Sequence, residues 1–530
     1  MNLYRVHQSP LLALGPLVLG FAVSFASVAE AERADDQILR IASGVDDIGT
    51  MDPHFSVGTG EFAIYKSVYE ALVLMPDGAM NAENLQPGLA TDWSTDESGL
   101  VWTFTLREGV QWHHGYGEFT ADDVQFSIER VLDPDVGSPF AENISIIDEV
   151  NVVDDYTVEI VTNVPTADLV SLLADYQSGF IVSKAAIEDG VDLRTEAVGT
   201  GPFMVENYQP RQGVTMARHD DYWRGEPIIE QIDYRFMSES NPRELALRAG
   251  EVHAIDIPAD QNWVDRLRNE GFEVDLTAPA NMFMIMYNMS REPLDDIRVR
   301  QALSHGIDRR ELIQFLGEDV ATPETSPLAE GYVGHTTDIP QYDYDPDRAA
   351  ELLAEAGYED GLEFEMVISN SNIYLPPMQV LQEQWRRIGI DVSLDVVDHP
   401  TYHSMIRDNV NPIVIYGAFR YPLTGTVYLT QFYHSDSAIG TDTAVTNFTH
   451  YGQILDGIDD LIEEAQFELD VDRQIELWEE AQYRIMEDAI VQPLFVRNYA
   501  LARSPLLDLG HEQKSYSFYS FTHETQLLAE

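Results

Sequence analysis

The sequence predicts an α/β protein built as at least two lobes, on three observations. Helix-like and strand-like patterns alternate along almost the whole chain, and elements in that order pack as α/β layers. At 530 residues the chain is longer than one hydrophobic core usually serves. Its 44% hydrophobic and 10% aromatic residues supply enough apolar surface for large cores, which excludes an acidic disordered chain.

The first 31 residues read as a secretory signal peptide. Arg5 and His7 precede an apolar run over 11–26, and Ala29-Glu30-Ala31 fits a small-x-small cleavage site. Pro10, Gly15, Pro16 and Ser24 interrupt the run, which falls below the ~18 continuous apolar residues of a spanning helix. The mature protein is expected to start near Glu32. With no cysteine anywhere, disulfides, thiolate metal sites and a lipid-modified cysteine are all excluded, so a freely diffusing periplasmic protein is expected.

A strand over 38–42 leads into a loop over 46–58 and a helix over 61–72. Strands over 101–106, 152–153 and 157–161 accompany a helix over 121–131 and read as an inserted subdomain. Residues 203–208, 214–218 and 232–236 alternate with period two, like strands of one sheet. Asn241-Pro242 then opens a helix, a cap followed by proline at the first position. From Asp295 onward, helices over 298–305, 309–316, 347–356, 377–388, 454–468 and 472–487 alternate with strands over 364–369, 392–397, 413–416 and 492–496. That is a second α/β lobe, with 282–288 and 496–504 passing between lobes as a hinge.

Charge excludes a class of partner. Asp and Glu number 91 against 31 Lys and Arg, a formal net charge of −60, so the chain lacks the basic footprint that nucleic acid requires. Lysine occurs only at 66, 184 and 514. Such an acid-rich, lysine-poor surface fits a host compartment of high salt, where screening relieves self-repulsion.

Local motifs for chemistry are weak. Gly58-x-Gly60-x-x-Ala63 opens a helix, but the turn Thr50-Met-Asp-Pro53 precedes it where a dinucleotide fold would need a strand. His113-His114 has no ligand partner at helical spacing, and His54 beside Pro53 reads as a loop residue. Acidic pairs such as Asp122-Asp123 and Glu463-Glu464 read as solvated faces. Neither Gly-x-Ser-x-Gly nor His-Glu-x-x-His occurs, which favours a binding protein over an enzyme.

The run over 106–130, LREGVQWHHGYGEFTADDVQFSIER, resembles a signature of extracellular solute-binding protein family 5, the receptors of peptide and nickel type ABC importers. Further blocks follow in that family's order: Gly199-Thr-Gly-Pro-Phe203, Asp221-Tyr-Trp-Arg-Gly-Glu-Pro227, Arg298-Val-Arg-Gln-Ala302 with Gly306-Ile-Asp-Arg309, YDPDRAAELLAEAGY over 344–358 and WRRIGIDV over 385–392. The resemblance implies a two-lobe periplasmic binding protein fold of type II, with an extra subdomain in lobe I. Lobe I would comprise 32–75, 195–287 and 501–530, the subdomain 76–194 and lobe II 288–500. Ligand would be enclosed on hinge closure. The implied activity is capture of a solute for an ABC permease, by a monomer with no cofactor.

In the resembling family the Gly-rich loop lines the cleft, where bare backbone can touch ligand. Ser56, Val57, Gly58, Thr59 and Gly60 are therefore lobe I contact candidates. The segment 413–432, IVIYGAFRYPLTGTVYLTQF, should run from a buried strand through a cleft loop into a helix. Peptide-binding relatives carry an acid four places before the loop proline to hold an α-ammonium. If Pro422 is that proline, the place is Ala418, and a free N-terminus would lack a counter-charge. Dipeptide binders use an arginine where this chain has Asn372, near Tyr374. Arg420, among Tyr416, Gly417, Phe419 and Tyr421, can grip a carboxylate or phosphate or pair with a nearby acid, and the aromatics can stack on a sugar or planar ligand or serve as core. His399, Tyr402 and His403 lie just upstream. The expected solute is small: carboxylate-bearing, peptide-like or glycoside- or opine-like. The alternatives are an oligopeptide receptor acting through backbone contacts, an exported α/β hydrolase, and a sensory or chaperone-like binding module.

Overall fold

The structure is a computed structural model that describes residues 32–55, 61–80, 82–174, 177–278, 281–516 and 518–529. The expected signal peptide lies outside the described residues. Among those described, no helix is long and apolar enough to cross a membrane.

Two main sheets divide the molecule. A seven-stranded mixed sheet runs in the spatial order Glu273–Thr277, Tyr499–Arg503, Ala254–Ile257, Ile38–Ser43, Gln231–Phe236, Gly213–Arg218 and Phe203–Gln209. The three strands that alternate in sequence over 203–236 form its antiparallel edge, and Ile38–Ser43 pairs in parallel with both of its neighbours. The second main sheet orders Ala321–Pro323, Val491–Arg497, Met282–Tyr287 and Ile413–Ala418. Met282–Tyr287 is buried at every position, as a central strand with both faces covered should be. A parallel pair, Leu362–Ser369 with Ile390–Val397, joins this lobe through Asn411. The Asn411 amide donates to the Val367 carbonyl at 2.9 Å and accepts from the Val367 N–H at 2.8 Å, so one side chain substitutes for a ladder bond.

The chain crosses between the main sheets twice, from Glu273–Thr277 to Met282–Tyr287 and from Val491–Arg497 to Tyr499–Arg503. Both crossings enter the seven-stranded sheet at the carboxyl end of Ala254–Ile257, because Ile257 pairs with Ala500 and Thr277 with Tyr499. The inserted subdomain is a four-stranded antiparallel sheet, Ala90–Thr95, Val101–Leu106, Thr157–Thr162 and Ile147–Asp154, with its own core around Phe104, Val124, Ile128 and Ile160. Its helix Ala121–Leu132 starts at a Thr120 and Asp123 capping box.

The helix expected over 61–72 ends early. It spans Phe62–Val68, and Tyr69 is already extended at ψ 153°. The cause lies in the Gly199-Thr-Gly201 backbone, which packs directly on Val68: a Cβ on Gly199 would stand 1.9 Å from the Val68 carbonyl oxygen, and the Gly201 N–H donates to that oxygen at 2.9 Å. Residues 70 and 71 pair instead with the subdomain, Ile181 N–H donating to the Glu70 carbonyl at 2.9 Å. This extended stretch buries the Glu70 side chain. Its carboxylate accepts from Thr200 at 2.8 Å, Tyr222 at 2.9 Å and the Trp223 indole at 3.0 and 2.9 Å. Burial pushes Glu70 up to about 7, against the opposing pull of those donors and of Arg224.

Candidate functional site

The lobe I wall begins with a buried cluster. Arg130, from the subdomain helix, forks onto both oxygens of Asp52 and donates to His54 Nδ1 at 2.8 Å. With Nδ1 accepting, His54 carries its proton on Nε2, which donates to the Phe180 carbonyl at 2.8 Å. Burial depresses His54 to about 4, so the ring stays neutral at neutral pH. The Ser138 hydroxyl donates to the His54 carbonyl at 2.7 Å. The loop is thereby pinned as far as Phe55. The contact candidates Ser56, Val57, Gly58, Thr59 and Gly60 lie outside the described residues. His113 is buried between Gly199 N–H at 3.2 Å and Gly201 carbonyl at 2.9 Å, a packing role.

A cavity of about 290 Å³ opens at the carboxyl end of Ile38–Ser43, lined in part by Gly44, Tyr234, Arg497, Tyr499 and Phe518. That edge, where the two crossing strands enter, is where open α/β sheets gather ligands.

Lobe II contributes an aromatic face. The Tyr374 hydroxyl accepts the Gly417 N–H at 3.3 Å, and its ring lies edge-on to Phe283 at 5.3 Å. Gly417 is required there, because a Cβ would meet the Phe283 ring at 2.4 Å. Tyr416 packs between His403, Phe432 and Phe448, with ring centroids 5.3 to 6.0 Å apart. Tyr374, Tyr416 and Ala418 are buried, whereas Phe419, Arg420 and Tyr421 keep part of their surface. Asn372 is exposed in the turn before helix Leu375–Arg387.

Arg420 is held within its own lobe. Its guanidinium donates to Gln431 and, at 2.9 and 3.3 Å, to the Phe419 carbonyl and the Thr446 hydroxyl, and it lies 4.9 Å from the Phe432 ring centre. Three of the five N–H donors an arginine owns are engaged, by neutral acceptors. No carboxylate pairs with it among the described residues, which removes the expectation of a neighbouring surface acid.

The two walls touch. The Tyr421 hydroxyl donates to the Ser171 carbonyl at 2.7 Å, from lobe II to the subdomain. Three residues before Ser171, Asp168 turns toward the Thr426 hydroxyl of helix Gly425–Tyr433, which has no hydrogen-bond partner of normal geometry. Neither Asp168 nor Ser171 stood out in the sequence, since one aspartate among 91 acidic residues carries no signal.

Two serine–histidine contacts bear on the hydrolase alternative. Ser369 meets His399 Nδ1 at 2.9 Å and Ser520 meets His511 Nε2 at 3.2 Å, yet both serines are buried, at 0% and 4% exposure. His399 turns its other nitrogen to His403 at 3.2 Å, where an activated nucleophile's histidine would meet an orienting carboxylate. Among the described residues no three His, Asp or Glu side chains are grouped to hold a metal ion.

Comparison with known proteins agrees with this architecture. The family model of bacterial extracellular solute-binding proteins, family 5, matches residues 84–439. The glutathione-binding protein GsiB of Salmonella paratyphi A is 30% identical over 383 residues, covering 72% of this chain and 73% of its own. The dipeptide-binding protein of Escherichia coli is 26% identical over 513 residues, covering 89% and 91%. Among solved structures, the binding protein MoaA of A. tumefaciens R10 in complex with mannopinic acid is 37% identical, with a TM-score of 0.73 over 93% of this chain and 100% of that one. The chain belongs to solute-binding protein family 5, and its place is that of the periplasmic solute-binding component of an ABC importer.

Proposed function

We propose that this family 5 receptor captures a small, carboxylate-bearing organic solute, peptide-like or opine-like, between its lobes and presents it unchanged to the permease. The observation that carries the reading is the Tyr421 to Ser171 bond, which joins lobe II to the subdomain beside Arg420, whose guanidinium keeps two N–H donors for an acid group. Likeness to a protein solved with mannopinic acid supports an opine-like solute, and likeness to the dipeptide-binding protein supports a peptide-like one.

In this reading lobe I spans 32–75, 195–287 and 501–530, the subdomain 76–194 and lobe II 288–500. Residues 1–31 direct export and the mature receptor diffuses as a monomer. It binds no nucleic acid and performs no chemistry. Ser56 to Gly60 meet the solute from lobe I, and Phe419, Arg420 and Tyr421 meet it from lobe II.

Native mass spectrometry of the protein purified from its own host tests this directly, by the mass of a solute carried through purification. Titration with mannopinic acid, dipeptides and glutathione should then raise the melting temperature and compact the scattering profile for one class. Unchanged scattering with every solute, or conversion of any of them to product, would overturn the proposal.

A further inference from the structure

Ala418 leaves the specificity loop without an acid, yet the opposite lobe turns one toward it. Asp168 precedes the short helix Leu169–Leu172, on the segment whose Ser171 carbonyl receives the Tyr421 hydroxyl. Its carboxylate makes no capping bond to that helix, so the usual structural duty of such an aspartate is not performed.

No cation neutralises it. Among the described residues Asp168 has no salt bridge, and the only side chain that acts on it is the Thr426 hydroxyl from across the gap. After residue 31, the undescribed positions are Ser56 to Gly60, Asn81, Asp175, Tyr176, Pro279, Ala280, Ser517 and Glu530, and none is basic.

Asp168 lies where the subdomain meets lobe II, three residues from the Ser171 carbonyl that receives the Tyr421 hydroxyl. Protein closes around the carboxyl densely enough that burial pushes it up to about 6, and yet Asp168 as a residue is only half-buried. A carboxylate on the outside would be solvated and near its ordinary value. An unpaired acid in such a place is costly unless a partner of opposite charge arrives.

We propose that Asp168 is the ligand's cation anchor: it pairs with an ammonium or amine group of the solute, so that lobe I supplies the counter-charge that Ala418 does not. This rests on the solute-receptor reading and narrows its substrate class. Together with Arg420, it selects a zwitterionic solute, with an amine toward the subdomain and an acid group toward lobe II.

The test is calorimetric titration of the full mature chain with matched probes: alanyl-alanine, glucosamine and mannopinic acid, each beside its N-acetylated form. At least one free amine is expected to bind about 100-fold more tightly than its acetylated partner, and Asp168→Asn to lose about 100-fold for that amine. Wild-type affinity should weaken as pH falls through about 6, because the anchor must be ionised, and the variant should be insensitive over that range. The ligand-free Asp168→Asn protein should melt no lower than wild type; a lower melting point would mark a structural acceptor and overturn the anchor. A neutral or purely anionic probe that binds equally to wild type and Asp168→Asn overturns the anchor and leaves the receptor standing. No binding by any probe, with no carried-over solute in native mass spectrometry, counts against receptor and anchor together.

Discussion

Two carboxylates in the same half of the molecule, the buried Glu70 and the half-buried Asp168, have opposite surroundings. Glu70 lies inside lobe I with Thr200, Tyr222 and Trp223 donating to it. Asp168 lies at the face toward lobe II with a single hydroxyl near it and no formed bond. Burial raises both, yet neutral donors turn the first into a fastener between the extended segment at 70, the Gly199-Thr-Gly201 turn and the 222–223 turn. The second fastens nothing. In a chain with so many acids, what separates frame from function is whether donors are already aimed at the oxygen atoms.

The largest effect expected from that contrast is at Glu70. Glu70→Ala leaves two hydroxyls and an indole N–H without their acceptor, in a region where Tyr222 is 6% exposed. At roughly 1–3 kcal/mol for each orphaned buried group, with partial rescue by entering water, a loss of about 4 kcal/mol is expected in urea unfolding. A loss below about 1 kcal/mol would break the contrast, because Glu70 would then be no better integrated than Asp168.

The next effect is pH dependence. Glu70 is raised from an ordinary 4.5 to about 7 in the folded protein, so the folded state holds this proton more tightly than the unfolded state. Its contribution is fully present below pH 4.5 and is lost as pH rises to 7, up to about 3 kcal/mol in all. Glu70→Gln should flatten that slope, seen as a smaller difference in unfolding midpoint between pH 5 and pH 8. An unchanged slope in the variant would assign the dependence to other groups.

A smaller effect belongs to the contact that joins the two walls. Tyr421→Phe removes one hydroxyl to carbonyl bond and keeps the ring, which is worth about 1 kcal/mol of closure, or roughly fivefold in affinity. Scattering from the solute-bound variant should show a larger open fraction than wild type. If affinity is unchanged, the contact does not hold the lobes together.

The fold was legible in the sequence wherever a pattern was local. The alternation over 203–236 announced its strands, and the run of family blocks announced the architecture. The end of the helix at Val68 was not, because it depends on Gly199 and Gly201, well over a hundred residues away, pressing on one carbonyl. At the candidate site, segment 416–421 was singled out because it matches the cleft loop of the resembling family and sets an arginine among aromatics. Asp168 was hidden for the opposite reason: acids are everywhere here, and only the three-dimensional absence of a partner distinguishes one of them.

Arg420 gives the milder and more discriminating test of the pair of anchors. Its guanidinium is braced by Gln431, the Phe419 carbonyl and Thr446, so its charge is already solvated by neutral acceptors in the absence of solute. A carboxylate arriving there replaces little unfavourable energy, whereas an ammonium arriving at Asp168 relieves an uncompensated charge. Arg420→Ala should therefore weaken an acid-bearing solute by only about 10-fold, and Arg420→Lys by nearly as much, since lysine lacks the fork that both braces the loop and presents the remaining N–H donors. Calorimetry of both variants beside Asp168→Asn ranks the two walls. If Arg420→Ala costs more than Asp168→Asn, recognition is led by the solute's acid group and lobe II, and the unpaired aspartate is secondary to it.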